Sequence, residues 1–577
     1  MKNNIKKRGQ KIFKRFSRFG QKAEQEGKEH IKANFFGRLS HIKNIKLLIA
    51  EWCLLILALI LLAVTQAVWF GNSYSSNSFV AGGTYIEGTL GKVNSMNPLF
   101  AVNDSEKALS RLMFSTLATI DYSGHIAPGL AKSISKDDNG KTWKIKLRDD
   151  LKWSDGEPIT NEDVLFTASL IKNSAISSIY STNLINVKVS ENEAGEIVFN
   201  LPTVYADFDS ALVFPILPKH ILGDADPRTL IEHSFSSTPV TSGAFSFNAS
   251  QTPSDDEKIF YLSPNSHYYK GEPMLNSFAI HAYEDKEDLV KDLNSGKITA
   301  TAALSPAEGG LVTSSSIYEK QTGINSGVYA FLNTSRDHVK SKEFRRAIKK
   351  ALNLDEILKL VDNKQELNYP LLASQIKLKN YPGVIKYNAE EAKATFDAEK
   401  GDGTLTLSLA TVSSGYLPIV AEFVANNLRE LGINVEVNVY SENQDFLSSV
   451  VAKRNYDILI YEIELGADPD LFAYYHSSQA SKSGLNLSNY KDSLIDDLIL
   501  GARETTDESL RVAKYEAFLE RWVSDVPAIG LYRTNISYFY NKNVRTFSDD
   551  SHMVTALDRF VNVETWASEK TIKNRTP

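Results

Sequence analysis

Residues that form disulfide bonds or bind metal ions are scarce in this chain, whose 577 residues include one cysteine and ten scattered histidines. A single cysteine excludes an intrachain disulfide framework and a cysteine-rich zinc site. The sequence contains neither His-Glu-x-x-His nor Gly-x-Ser-x-Gly. Two glycine-rich stretches, 83–88 and 401–403, lack the lysine or the third glycine that phosphate-binding loops require. The sequence therefore predicts no catalytic residue, no metal and no cofactor.

Charge is unevenly distributed along the chain, whose formal net charge is -6. Residues 1–46 carry 14 Lys and Arg against three Glu, a net charge of +11. Counting Glu51, the residues from Asn72 onward then carry a net charge of -16. An acidic main body is a poor nucleic-acid binder, because neutralising phosphates requires clustered Lys and Arg.

A run of 20 residues without a formal charge, from Trp52 to Gly71, separates these two parts. The run is long enough to cross a bilayer as a helix, and aromatic residues flank it. The positive-inside rule places the basic tail in the cytoplasm and residues 72–577 outside the cell. A signal peptide cut after Ala67 is the alternative, but a basic region of 46 residues is long for one. We expect a retained single-pass anchor.

Alternating and helical patterns indicate an α/β lobe in the C-terminal half. The pattern predicts strands at 404–409 and 433–439, with a helix between them that ends at Gly432. This β-α-β unit implies parallel strands. A further strand is predicted at 456–461, and ligands of open α/β sheets bind beyond the carboxyl ends of strands. The loop 462–470 is therefore the first candidate site.

The N-terminal half shows two strands, a helix signal and a second candidate site edge. Strands are predicted at 84–89, whose carboxyl end leads into a loop, and at 142–147. Thr160-Asn-Glu-Asp163 is typical of a capping box and predicts a helix over 164–172.

Trp143-Lys-Ile-Lys-Leu-Arg148, followed by Leu-Lys-Trp-Ser-Asp-Gly-Glu-Pro-Ile-Thr-Asn-Glu-Asp-Val at 151–164, resembles the signature of the family 5 extracellular solute-binding proteins. These are the receptors of dipeptide, oligopeptide and nickel ABC importers. The resemblance covers nearly all of 82–565. Further segments resemble family segments and follow in the family's order: 215–222, 239–245, 268–275, 293–296, 344–347, 387–392 and 511–515.

The resemblance implies an α/β, two-lobed periplasmic-binding-protein-like fold of the large three-subdomain class, preceded by one transmembrane helix. The ligand would be trapped between the lobes by hinge closure. The implied organisation is a cytoplasmic tail (1–46), an anchor (47–71), a linker (72–81), lobe one with an inserted subdomain (82–305), lobe two (306–526), and a return to lobe one with the C-terminal tail (527–577).

In peptide-binding family members, Gly-Trp-x-x-Asp precedes Asp-Pro-Asp, and its Asp holds the peptide ammonium group. Aligned on Asp468-Pro-Asp470, the Asp position is Leu465 here and the Trp position is Glu462. Either Glu462 or Glu464 supplies the charge, or the ligand is an internal peptide segment or not a peptide. Asp468 is expected to cap the next helix, 471–476. The predicted contact residues are Thr89, Tyr461, Glu462, Ile463, Glu464 and Leu465.

The function that follows is a non-enzymatic, membrane-anchored receptor that captures peptides by lobe closure and delivers them to an ABC importer. Its expected partners are a peptide or other small solute, the permease and ATPase subunits, and the membrane, and the receptor is expected to be a monomer. Two alternatives remain open: the same fold binding an oligosaccharide or metal chelate, and a surface sensor that does not transport. A surface hydrolase is the weakest alternative, because no nucleophile–base arrangement is visible.

Overall fold

The computed structural model describes residues 46–574 except 138, 185, 255, 364, 402, 442–445 and 549–550. Apart from Lys46, the predicted basic tail lies outside the described residues. The chain forms two compact units, one comprising Met1–Ser78 with Lys570–Pro577 and the other comprising Phe79–Glu569.

In the first unit, helix α1 (Lys46–Tyr74) contains the predicted apolar run. Its segment Ile49–Gln66 has a mean hydropathy of 2.2 and is 0% buried, and within the described residues it is the one helix long and apolar enough to cross a membrane. A helix that is apolar all round normally lies in a protein core or in a membrane. After α1, strand β1 (Ser75–Val80) pairs with β18 (Glu569–Asn574), so part of the predicted linker is a strand.

The second unit is built around a ten-stranded mixed sheet with the order β15-β14-β16-β13-β17-β12-β2-β11-β10-β9. A four-stranded sheet, β5-β6-β8-β7, and the pair β3-β4 complete its strands. The strands are β2 (Thr84–Leu90), β3 (Ala118–Ile120), β4 (Ile126–Pro128), β5 (Ala131–Lys136), β6 (Thr142–Leu147), β7 (Lys188–Glu191), β8 (Ile197–Asn200), β9 (Phe245–Ser254), β10 (Glu257–Pro264), β11 (Ser277–Tyr283), β12 (Ala300–Thr301), β13 (Ile317–Leu332), β14 (Thr406–Val412), β15 (Asn434–Tyr440), β16 (Ile458–Glu464) and β17 (Ala528–Asn541).

The helices lie mostly between these strands. They are α2 (Asp104–Met113), α3 (Asn161–Ile171), α4 (Ser181–Leu184), α5 (Lys219–Leu222), α6 (Lys286–Ser295), α7 (Lys342–Ala351), α8 (Leu354–Leu360), α9 (Ala389–Lys400), α10 (Leu417–Glu430), α11 (Phe472–Tyr475), α12 (Ser493–Arg503) and α13 (Glu508–Asp525). Shorter 3-10 turns lie at Pro98–Phe100, Phe208–Leu212, Pro227–Glu232, Ser234–Ser236, Pro306–Leu311, Ser477–Gln479, Ala556–Phe560 and Val563–Thr565, and a π turn lies at Leu447–Val451.

The predicted β-α-β unit is confirmed. Strands β14 and β15 are parallel and in register from Thr406 opposite Asn434, and α10 connects them. The buried side of α10 carries Val420, Val424 and Leu428, which repeat at helical spacing. The next strand, β16, starts and ends later than predicted, because it pairs antiparallel with β13 as far as Glu464.

The two N-terminal strands and the capping signal are also confirmed. Strand β6 has the predicted bounds, and β2 extends one residue beyond its predicted end. The Asp163 carboxylate accepts a hydrogen bond from the Thr160 backbone N–H at 2.8 Å, which completes the capping box, and α3 begins directly after Thr160. Trp153, in the middle of the family signature, is 0% exposed. Trp153 is therefore part of the lobe-one core.

The two largest of the four hydrophobic clusters in the described residues divide this unit into two lobes. The lobe-two core contains buried side chains between Val328 and Tyr532, and the lobe-one core contains those from Tyr85 to Ala300 and from Tyr538 to Trp566. The antiparallel strands β13 and β17 run from one core to the other. The predicted lobe boundaries at 305/306 and 526/527 stay predictions.

The ladder between β13 and β17 is interrupted at the junction of the two cores. Gly323 pairs with Asn535 and Gly327 pairs with Arg533, so three residues of β13 stand opposite one residue of β17. Such a bulge bends a strand and increases its twist. The ladder resumes at Gly327, and a second register shift follows between Val328 and Tyr329, which pairs with Gly530. An added Cβ at Gly530 would lie 2.0 Å from the Leu367 carbonyl oxygen, so this position requires glycine.

A buried ion pair ties the C-terminal segment to β2. Arg559 donates two hydrogen bonds to Glu87 Oε1, at 2.9 and 2.7 Å, and Tyr538 donates one to Glu87 Oε2 at 3.0 Å. The exposed fractions of the Arg559 and Glu87 side chains are 5% and 0%. Strand β17, the second strand to run between the cores, is thereby joined to both β2 and the turn Ala556–Phe560.

Candidate ligand-binding site

A cavity of about 350 Å³ lies between the two lobes. Lobe one contributes residues from 101–215 and from 554–558, and lobe two contributes Gly466, Ala467 and Asp468. The wall is partly apolar, with Phe114, Ile120, Ile126 and Val213, and it carries four charged side chains: Lys107, Arg111, Asp468 and Asp558.

One face of α2 forms part of the lobe-one wall. Asn103 accepts a hydrogen bond from the Glu106 N–H at 3.0 Å, and the Glu106 carboxylate accepts one from the Asn103 N–H, so a capping box starts the helix. Lys107, Arg111 and Phe114 follow at helical spacing and face the cavity. The opposite side of α2 is buried in the lobe-one core.

Asp558 holds the C-terminal part of the cavity wall. Its Oδ2 accepts hydrogen bonds from the backbone N–H groups of Val554 and Thr555, at 3.1 and 2.8 Å. Its Oδ1 lies 3.7 Å from the Arg111 guanidinium, which is an ion pair without a hydrogen bond. The carboxylate of Asp558 is therefore used mainly to cap its own turn.

The lobe-two wall is a loop fixed by side chains. Gln375 Nε2 donates to the carbonyl oxygens of Leu465 and Asp468, both at 2.7 Å, and Asn325 Nδ2 donates to that of Gly466 at 2.9 Å. Gly466 has φ +72°, a left-handed conformation that favours glycine. This turn directs the chain after β16 towards lobe one.

Asp468 projects from this loop to the cavity. Its Oδ2 accepts a hydrogen bond from the Tyr205 hydroxyl of lobe one at 3.2 Å, and its Oδ1 accepts one from the Asp470 N–H at 3.0 Å. The expectation that Asp468 caps the following helix is wrong. The N-cap residue is Leu471, which provides no side-chain cap, while the Asp470 carboxylate accepts a hydrogen bond from the Phe472 N–H at 3.0 Å.

Beside the cavity, charged and aromatic side chains hold the two lobes together. Asp207 of lobe one forms an ion pair with Arg511 of α13. The Arg503 guanidinium stacks on the Tyr205 ring at 4.4 Å and lies 3.4 Å from the Asp470 carboxylate. Burial raises the pKa of Asp207 to about 6, against the opposing effect of Arg511. Burial also raises the pKa of Tyr205, and nearby Asp468 raises it further.

The predicted contact residues lie beside the cavity and do not line it. Thr89, at the end of β2, is 3% exposed and hydrogen-bonds the Ser105 hydroxyl at 2.8 Å. The Tyr461 ring is half-buried, with its centroid 5.9 Å from that of Phe446. These two positions therefore lie within the walls of their lobes.

The other four are in β16 or directly after it. Glu462 accepts a hydrogen bond from the Ser326 hydroxyl at 2.7 Å, Ile463 is buried, and Glu464 is exposed. Leu465 is buried and its N–H donates to the Asn325 carbonyl oxygen at 2.7 Å. The lobe-two residues that line the cavity start at Gly466, one position after Leu465.

The predictions missed the cations of α2. Their sequence signal is the Asn103-x-x-Glu106 capping pattern, followed by Lys107 and Arg111 at i and i+4 before a buried aromatic residue. This pattern predicts that both cations share one face of a helix. It does not predict what that face contacts.

The fold and the interlobe cavity define a solute-binding protein of the two-lobed class. The sequence profile of the bacterial extracellular solute-binding proteins, family 5 Middle, matches residues 125–484, and the chain belongs to this family. The resemblance of the sequence to the family, and the two-lobed periplasmic-binding-protein fold that it implies, are confirmed.

Relatives within this family support a peptide-importer type of receptor. The chain is 27% identical over 489 residues to the oligopeptide-binding protein AppA of Bacillus subtilis, covering 79% of this chain and 87% of AppA. The structure of AppA in complex with a nonapeptide matches with a TM-score of 0.68 at 22% identity, over 85% of this chain and 99% of AppA. NikZ from Campylobacter jejuni in complex with Ni(L-His) matches with a TM-score of 0.70 at 23% identity, over 84% of this chain and 99% of NikZ. These relatives are solute-binding proteins.

Proposed function

We propose that the protein is an extracellular peptide receptor, held at the membrane by α1, which captures peptides between its lobes and delivers them to an ABC importer without chemical change. The observation that carries this proposal is the cavity, whose wall contains residues of both lobes. A solute that contacts both walls binds the closed arrangement more tightly than the open one, and therefore shifts the population towards closure.

Short peptides are the ligands that suit this cavity. Its volume of about 350 Å³ is near the lower end of the usual range for small-molecule pockets. The apolar side chains can accommodate varied peptide side chains, while the charged groups orient the ends. Support from the family comes from AppA, whose structure holds a nonapeptide.

The peptide ammonium group binds Asp468. In the part of the chain that the structure describes, Asp468 Oδ2 accepts one hydrogen bond, from Tyr205, and a carboxylate oxygen accepts more than one. Asp468 thus replaces, from three residues further along, the acidic group that is absent at Leu465. A longer peptide that leaves the cavity beside the end of β16 would meet Glu464, the exposed member of the six predicted contact residues.

Native mass spectrometry of the full chain in mild detergent tests the proposal. We expect co-purified peptides or, after their removal, a mass increase with a mixed library of short peptides. Asp468→Asn keeps a partner for Tyr205 and should weaken binding of peptides with a free N-terminus about tenfold, without changing the binding of N-acetylated peptides. Asp288→Asn, at an exposed position of α6, is the matched control. An unchanged apo mass with every peptide would refute peptide binding.

The membrane anchor has an independent test. A C-terminal epitope tag should be digested by protease added to intact cells, and an N-terminal tag should be protected. Leu57→Arg places a cation near the middle of Ile49–Gln66, which costs about 2.5–3.5 kcal/mol in a membrane helix. We expect this variant to be lost from the membrane fraction, whereas Leu57→Ala stays. Protection of both tags would contradict the proposed orientation.

A metal chelate is the second candidate ligand, because the NikZ structure holds Ni(L-His). Within the described residues there is no group of His, Cys, Asp and Glu side chains that could hold a metal ion by itself. The cavity would therefore have to bind the amino-acid part of such a chelate. Adding nickel with histidine in the same mass measurement distinguishes the two candidates.

A further inference from the structure

The two cations of α2 differ from the other charged groups of the cavity in having few partners. Lys107 is half-buried in the wall, and its side-chain ammonium group has no hydrogen bond or ion pair with any residue that the structure describes. Arg111, whose side chain is 16% exposed, donates one hydrogen bond among the described residues, to the Thr119 hydroxyl at 3.3 Å. A guanidinium group has several further N–H donors.

The acidic groups nearby do not neutralise this pair. Asp558 is 3.7 Å from Arg111, and its other oxygen caps the turn that follows Val554. Asp468 lies on the lobe-two side of the cavity, where its carboxylate accepts a hydrogen bond from the Tyr205 hydroxyl of lobe one. The α2 wall therefore carries a net positive charge even with Asp558 counted, and the lobe-two wall carries a negative one.

The charges of the cavity wall balance overall but are separated between the lobes. Such a cavity fits a solute that is itself neutral overall and carries one charge of each sign at its two ends. With the ammonium group on Asp468, the anionic end of the solute reaches α2. Partly desolvated cations favour an oxygen anion strongly, because charge-assisted hydrogen bonds are about twice as strong as neutral ones.

We propose that Lys107 and Arg111 form a carboxylate subsite, through which the receptor selects peptides with an unblocked carboxylate over the same peptides as amides. This inference rests on the proposed peptide-binding function. The carboxylate belongs either to the C-terminus of a short peptide or to an acidic side chain of a longer one. In both cases the solute joins the two lobes through opposite charges.

Paired peptide libraries test the subsite with the full chain in mild detergent. One library contains short peptides with free termini, the second contains the same peptides as C-terminal amides, and a third contains amides with one internal Asp. Competition between libraries, measured by native mass spectrometry, should favour the free acids over the simple amides by about tenfold or more. Binding of the Asp-containing amides would assign the subsite to side-chain carboxylates, and their exclusion would assign it to the C-terminus.

Substitutions then link this preference to α2. Lys107→Met and Arg111→Met should each reduce the preference for free acids and leave the binding of amides unchanged, while Arg111→Lys retains part of the preference. Lys92→Met removes an exposed cation outside the cavity and is the matched control. Lys107→Met is informative even if Arg111→Met fails to fold, because Lys107 has no partner among the described side chains.

The possible failures are distinguishable. If the unmodified receptor binds amides as well as acids, or if both Met variants keep the preference, the subsite is refuted and the peptide-binding function stands. If none of the three libraries binds, the peptide-binding function fails, and the subsite fails with it.

Discussion

The buried ion pair between Glu87 and Arg559 provides a quantitative test of how lobe one is held together. Arg559→Met removes both hydrogen bonds to Glu87 Oε1 and leaves a fully buried carboxylate with the Tyr538 hydroxyl. Removing one partner of a buried ion pair costs about 3–5 kcal/mol, because the remaining charge is desolvated without compensation. We expect the free energy of unfolding to fall by that amount.

Replacing both partners should cost much less than replacing one. In Glu87→Gln/Arg559→Met no charge is left buried, and the Gln side chain can still accept from Tyr538. We expect the double variant to recover at least about 2 kcal/mol of the loss, which is within the range of coupling between contacting residues. Lys132→Met, which breaks an exposed pair with Asp149, should change stability by less than about 1 kcal/mol.

Urea unfolding and hydrogen exchange of the full chain in detergent measure these values. Exchange of the backbone amides in Ala556–Phe560 should accelerate in Arg559→Met and return towards the original rate in the double variant. An equal loss of stability in Arg559→Met and in the double variant would show that the cost comes from lost packing of the Arg559 side chain. In that case the electrostatic reasoning is wrong.

Three further predictions concern the lobe contacts and the hinge. Burial raises the pKa of Asp207 to about 6, so the protonated carboxyl group stabilises the folded protein. This contribution is complete below the pKa that Asp207 has in the unfolded chain, and it is lost as pH rises through 6. The free energy of unfolding should therefore fall by up to about 3 kcal/mol from pH 4 to pH 7, and Asp207→Asn should remove this part of the pH profile. Gly530→Ala places a Cβ 2.0 Å from the Leu367 carbonyl oxygen, so Tm should fall as expected for a loss of about 1–3 kcal/mol; an unchanged Tm would contradict the close approach. Gln375→Ala removes the hydrogen bonds that fix the loop of Asp468, so peptide affinity measured by calorimetry should fall about tenfold, and Tm should fall as expected for a loss of about 1–3 kcal/mol.

Local patterns predicted the elements of this fold well. The alternation in β6 and β15 and the helical spacing in α10 depend on neighbours in sequence, and these three elements form within two residues of the predicted positions. Strand β14 starts two residues and ends three residues later than predicted. The end of β16 was predicted less well, because its last residues form a strand by pairing with β13. That contact joins residues more than 100 positions apart and leaves no local signal.

The lobe-two wall of the candidate cavity could be predicted only to within a few residues. The rule that ligands bind beyond the carboxyl ends of strands pointed to the loop after β16, and this loop does line the cavity. The exact residues depend on the left-handed turn at Gly466 and on hydrogen bonds from Gln375, about 90 residues earlier. The opposite wall combines α2 with Asp558, and nothing in either segment alone indicates that they meet.

The interruption between β13 and β17 has a consequence for the resting state of the receptor. Three buried acceptor atoms there, Thr534 Oγ1, Asn535 Oδ1 and Gln365 Oε1, have no hydrogen-bond partner among the described residues. Each unmet buried group costs about 1–3 kcal/mol, and any rotation of the lobes that admits water to them recovers part of it. The unmet groups at the junction would then favour an open arrangement of the lobes when no solute is bound. A bound solute has to supply the free energy that keeps the lobes closed.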